Sequence, residues 1–128
     1  MVRIEVDPYP TNEALAALWQ EAWGGPGPSD FGRILARSLA HFGAYDGDRL
    51  VGFVNVAWDG GVHAFIIDTC VTPSHRRRGI ATELVRRATE VAAKRGAHWL
   101  HVDFEPHLEP FYRACGFRNT RAGLIRLV

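Results

Sequence analysis

The stretch that most constrains this chain runs from Phe65 to Ala92. It begins with an apolar run, Phe65–Val71, carrying the β-branched bias of a strand. Pro73 stops that strand, because proline has no amide hydrogen to give a ladder. Ile80, Leu84, Ala88, Val91 and Ala92 then recur on one face of a helix. Between strand and helix sit Arg76, Arg77, Arg78 and Gly79. Amides left free at a helix start, together with the positive end of the helix dipole, make a site for a phosphate-bearing ligand. Gly79 has no Cβ, so such a ligand can come close to the chain there.

The segment Arg76-x-x-Gly79-x-Ala81, following a strand that ends Cys70-Val71, resembles the cofactor loop of the GNAT-type N-acetyltransferases, usually Gln/Arg-x-x-Gly-x-Gly/Ala. Downstream, Phe111-Tyr112-Arg113-Ala114-Cys115-Gly116-Phe117 is similar to the Tyr-x-x-x-Gly-Phe segment of that family. Two matches in the right order, separated by a helix and a strand, carry far more weight than one. The resemblance extends from about Asp46 to Phe117. It implies acetyl-CoA as co-substrate and an amine as acceptor.

The rest of the chain fits one domain over residues 1–128. Val2–Val6 reads as a strand closed by Pro8 and Pro10. Thr11 or Asn12 caps a helix bearing Leu15, Leu18, Trp19 and Ala22. Gly24-Gly-Pro-Gly-Pro28 ends it, and Ser29 or Asp30 caps a shorter helix with Phe31, Ile34, Leu35 and Ser38 on one side. His41–Tyr45, Leu50–Trp58 and Val62–Val71 form an antiparallel meander with turns at Asp46–Arg49 and Asp59–Gly61. On the helix after the loop, Glu83 with Arg87 and Glu90 with Lys94 are candidate ion pairs, and Gly96 is its terminal glycine. His98–Phe104 is a strand parallel to its neighbour. A short helix covers about Leu108–Ala114, and Phe117–Val128 holds one or two last strands, abbreviated or completed by a partner. The expected class is α/β: a mixed, largely antiparallel, GNAT-like sheet with a splayed parallel pair and helices on both faces.

Acetyl transfer must hold the donor, neutralise the amine and stabilise the leaving thiolate. The amides from Arg77 through Ile80 to Thr82 and the side chains of Arg76, Arg77 and Arg78 suit the pyrophosphate. The resemblance implies that the pantetheine arm pairs with the strand at Cys70 and Val71. It also makes Tyr112 the group facing the leaving thiolate. A phenol near ~10 helps a thiolate near ~8.5 mainly through a hydrogen bond. Asp68, the one carboxylate in an apolar strand, is a candidate base, with Asp103, Glu105 and relayed water as alternatives. In the family the first two helices wall the acceptor site, which points to Trp19, Trp23 and Phe31; simple packing is the other reading of these rings. Glu105 stands seven residues before Tyr112, where many members carry asparagine, so that contact is lost or taken by Glu105 or His107.

Other classes are disfavoured. A net charge of +1 with the basic residues gathered at Arg76–Arg78 and Arg86–Arg87 does not suit nucleic-acid or membrane binding. His101, Asp103 and Glu105 alternate along a strand, but no His-x-x-x-His spacing accompanies them, so no metal is expected. Met1–Pro10 lacks an apolar leader core, no apolar run reaches spanning length, and Cys70 and Cys115 read as free buried thiols, all of which suit a cytoplasmic protein. The acceptor is open among a small primary amine, an aminoglycoside, a peptide N-terminus and a protein lysine, and a homodimer is left open. A non-catalytic acyl-CoA-binding domain, a sensor or regulator, is the alternative, since it would share the donor site.

Overall fold

A computed structural model describes residues 1–128. The elements are β1 (Val2–Val6), α1 (Asn12–Trp23), α2 (Phe31–Leu35), β2 (Ser38–Asp46), β3 (Arg49–Trp58), β4 (His63–Val71), α3 (Ile80–Lys94), β5 (Trp99–His101) and α4 (Glu109–Ala114). Short 3-10 turns at Pro73–His75 and Pro106–Leu108 lead into α3 and α4. The strands lie in the order β1-β2-β3-β4-β5, antiparallel except for the β4–β5 pair, which is parallel.

Alternation along the strands divides the core in two. Phe42, Ala44, Val54, Val56, Ala64 and Ile66 pack on the Ile80–Leu84–Ala88–Ala92 stripe of α3. On the opposite face Leu50, Phe53 and Cys70 meet Leu15, Leu18 and Trp19 of α1 and Phe31 and Leu35 of α2. Helices therefore cover both faces, as expected. Local signals set their ends. Thr11 accepts from the Ala14 amide at 3.1 Å, and Asp30 from the Arg33 amide at 3.1 Å. Gly96, at φ +104, closes α3: its amide reaches Ala93 O at 3.2 Å and the next amide reaches Ala92 O at 3.0 Å.

Four expectations are corrected. Ser38 lies on β2, not on the second helix. Its hydroxyl bonds the buried Asn55 side chain, and its strand position opposes Ala57. The fifth strand is shorter than His98–Phe104. It pairs with β4 over three residues only, because β4 then bends away. No strand forms in Phe117–Val128; beyond Phe117 every residue is exposed and no neighbouring strand receives it. Finally, Arg86 takes both carboxylates on α3, bonding Glu83 through two nitrogens and Glu90 through a third contact. Arg87 instead lies over the Phe42 ring, 6.0 Å from its centre.

Candidate active site

The site begins with an extra residue in β4. Asn55 pairs with Ile67 and Phe53 with Cys70, so Asp68 and Thr69 together oppose Val54. This is a β-bulge, which bends its strand and re-aims side chains. Asp68 supplies the turn at φ +59, a left-handed conformation that aspartate tolerates better than most residues. The parallel ladder to β5 has already ended at Phe65 and His101. Beyond that point the sheet is split.

A crevice of about 240 Å³ occupies the split. Ala22 and Trp23 from α1 line it on one face; Ala81, Phe111 and Tyr112 from α3 and α4 line it on the other. It thus crosses the sheet, with Thr69, Cys70 and Val71 along its β4 edge. Tyr112 is held by rings: Phe104 stacks at 4.9 Å, and Phe111 and Phe117 meet it edge-on at 4.9 and 5.9 Å. The Phe117 contact depends on Gly116, whose φ of +103 turns the chain so that the Phe117 amide bonds Tyr112 O at 3.1 Å. Burial raises the pKa of the Tyr112 phenol, with Cys115 and Asp103 adding to the rise and Thr69 opposing it. Thr69 Oγ1 is near enough for that effect, yet has no hydrogen-bond partner of good geometry and is buried. Burial also raises the carboxyl of Asp68 above the usual carboxylate value. It pushes the Cys70 thiol up to about 12, with Asp68 adding to the rise.

At the end of β4 the chain turns sharply into α3. The His75 ring is buried between two partners: Nε2 lies 2.8 Å from Asp46 Oδ2 and Nδ1 lies 2.7 Å from Ser74 Oγ. This clamp ties the turn to the β2–β3 connection and holds the Asp46 carboxyl below the usual range. Arg76 folds inward, its Nε donating to Val71 O at 3.0 Å and its Nη2 to Ala22 O at 3.4 Å. Its guanidinium therefore bridges β4 to α1 at the crevice wall. Arg77, at φ +63, and Arg78 are exposed. Gly79, at φ +80, precedes α3 with no side-chain cap, and a Cβ there would meet nothing within 4 Å. None of the amides from Arg77 to Thr82 is bonded within the protein. A row of free donors thus lies between the exposed arginines and the crevice.

The sequence profile of the acetyltransferase (GNAT) family matches residues 3–117. The chain belongs to the GNAT acetyltransferase family. A curated relative, the chloroplastic GCN5-related N-acetyltransferase 3 of Arabidopsis thaliana, is 35% identical over 75 residues, 59% of this chain and 32% of that protein. The match therefore spans about a third of the relative's length. A GNAT family acetyltransferase from Streptococcus pneumoniae is 27% identical with a TM-score of 0.84, covering 100% of this chain and 98% of that one. An aminoglycoside N-acetyltransferase solved with CoA shares the fold at a TM-score of 0.77 and 22% identity, over 98% and 93% of the two chains.

Within this GNAT fold the residues singled out from sequence divide into groups. Cys70, Val71, Arg76, Ala81, Tyr112 and Trp23 meet at the crevice, and Asp68 stands at the bulge beside it. Arg77, Arg78, Gly79 and Thr82 flank the helix start, while Ile80 is buried in the core beneath it. Trp19 and Phe31 do not line the crevice. Their rings pack edge-on at 4.9 Å beneath α1 and α2, and Gly27 closes over Trp19 so tightly that a Cβ there would sit 2.2 Å from the indole. Glu105 is exposed at the start of the Pro106–Leu108 turn and does not line the crevice. Thr69, Phe111 and Leu108 also line the crevice but were not singled out. Phe111 stood beside Tyr112 in the matched segment; Thr69 gave no signal until the bulge was visible.

Proposed function

We propose that residues 1–128 act as one N-acetyltransferase unit that moves the acetyl group of acetyl-CoA to a primary amine by direct attack. The observation that carries this reading is the continuity of free amides with a crevice open through the sheet. The amides of Arg77–Thr82 and the side chains of Arg77 and Arg78 suit a pyrophosphate. The side chain of Arg76 is engaged with Val71 and Ala22, so its part is to hold the crevice wall. The thioester then lies between Thr69–Val71 and Tyr112, and the amine approaches from the α1 side past Trp23. The reaction requires no metal.

The amine nitrogen attacks the carbonyl carbon; an N–C bond forms, the C–S bond breaks, and the second proton shed by the nitrogen passes through water to the departing thiolate, so coenzyme A leaves as the thiol. Tyr112 donates a hydrogen bond to that sulfur. Its pKa is raised by burial, so stabilisation rather than complete proton transfer is its main contribution. An alkylammonium near ~10.4 must lose its proton before attack. On this reading Asp68, raised by burial, anchors the ammonium and passes that proton toward water. Cys70 is no nucleophile on this route, since a thiol pushed up to about 12 stays protonated at neutral pH. The free thiols Cys70 and Cys115 support a reducing, cytoplasmic setting.

The test is thiol release from acetyl-CoA with primary amines, together with intact mass after incubation with acetyl-CoA alone. The expected result is amine-dependent release and no acetylated protein. A stable acetyl adduct on Cys70 would replace direct attack with a two-step route.

A further inference from the structure

On the α1 side of the sheet, α1 lies over β3 and the end of β4, and α2 lies over β2. The stretch of β4 before the bulge, with β5 beside it, is left open. Phe65 is 41% exposed, Ile67 39% and Trp99 56%, whereas Ala64 and Ile66 between them are buried toward α3. The register pairs His63 with Trp99 and Phe65 with His101, which puts these four side chains on one face. The floor they make is fixed. The Phe65 and His101 rings stack at 4.6 Å and 17°, and His101 Nε2 lies 2.9 Å from His63 Nδ1.

Carboxylates stand at both ends of this floor and none in its middle: at the His63 end, exposed Asp59 accepts from the His63 amide at 3.3 Å. Asp68 stands at the bulge, and exposed Asp103 follows two residues after β5 ends. Residues 63–67 and 99–101 contain no carboxylate. At about 3.3 Å per residue, Ile67 lies roughly 7 Å and Phe65 roughly 13 Å from Thr69 at the crevice. A ligand matching this surface has a cation at one end and a flat apolar group a few bonds away. A polyamine or an amino sugar presents several polar cations where the protein offers rings and Ile67.

We infer that the acceptor is a small primary amine carried on an aromatic ring by a short alkyl linker, its ammonium at Asp68 and its ring on Ile67 and Phe65. This rests on the acetyl-transfer reading above. Aromatic contacts of this kind confer roughly a three- to tenfold preference each.

The experiment measures thiol release by the full chain with phenethylamine, tryptamine, ethylamine, spermidine and kanamycin. Coenzyme A binding is followed separately by calorimetry. The expected result is a kcat/KM for the two aryl amines about tenfold or more above that of the other three. Phe65→Ala and Ile67→Ala are each expected to shrink that preference several-fold without changing the KM for acetyl-CoA. Equal or better use of ethylamine, spermidine or kanamycin overturns the inference, as does coenzyme A binding with no transfer to any of the five. A preference that survives both substitutions overturns it as well. Absence of coenzyme A binding brings down the underlying reading instead.

Discussion

Asp68 is held at φ +59 within an apolar strand and is shielded from water by its neighbours. Both features oppose folding. Its folded pKa lies above the unfolded value, so the folded state binds more protons between the two, and stability falls as pH rises through that window. Asp68→Asn keeps a side chain that tolerates the left-handed backbone and removes the buried charge. The variant is therefore expected to melt higher than the parent at pH 8, with the difference vanishing below about pH 3.9, where the parent carboxyl is protonated in both states. Thermal melts across pH check this, and a variant that melts lower at pH 8 contradicts it. Tyr112→Phe keeps the rings at Phe104, Phe111 and Phe117 but loses the hydroxyl. Turnover is expected to fall by roughly 10²-fold with coenzyme A affinity nearly unchanged; an unaltered kcat removes Tyr112 from the chemistry. The place of Tyr112 at the crevice was legible through the resemblance of Phe111–Phe117 to the family segment, whose residues are contiguous in sequence. Trp19 and Trp23 were not distinguishable. They sit four residues apart on one helix, and sequence does not tell where that helix overhangs the sheet.

At the scale of elements, the turn from β4 into α3 does two jobs with different residues. His75 and Arg76 bind it to the protein, and Gly79 leaves it open to a ligand. Gly79→Glu fills that opening with bulk and negative charge, and adds about 1–2 kcal/mol of backbone strain at φ +80. A folded variant with no measurable coenzyme A binding is the expected outcome by circular dichroism and calorimetry; retained affinity contradicts the assignment of the loop. His75→Ala releases the turn from Asp46 and is expected to weaken coenzyme A several-fold while leaving the rest of the fold intact. This element was readable because its signals are local: a proline, three arginines, a glycine and a helical stripe. The bulge was not, since Asp68 and Thr69 are an extra pair only relative to Val54 on another strand. The choice of Arg86 over Arg87 as ion-pair partner likewise depends on Phe42, which draws Arg87 toward the sheet.

For the whole molecule, two cores lie on opposite sides of one split sheet, and a ligand held in the crevice would touch elements of both. A ligand at about 100 times its dissociation constant adds about 2.7 kcal/mol. The melting temperature is therefore expected to rise by several degrees with saturating coenzyme A. The residues after Phe117 contribute little to either core. Leu124, Ile125 and Leu127 are apolar and β-prone, which prompted the expectation of further strands, yet they are fully exposed and unpaired. A strand forms only where a neighbour receives it, and apolar character alone does not supply one. Removing residues 118–128 is accordingly expected to leave the melting temperature of the chain unchanged within about 2 °C.

The central claim is that the free amides before α3 hold the diphosphate of an acyl carrier at the mouth of the crevice. Titration calorimetry of coenzyme A into the folded protein tests it most directly. The account predicts saturable one-to-one binding in roughly the micromolar to submillimolar range usual for enzyme substrates. A flat trace from a protein whose melting curve is intact would contradict it.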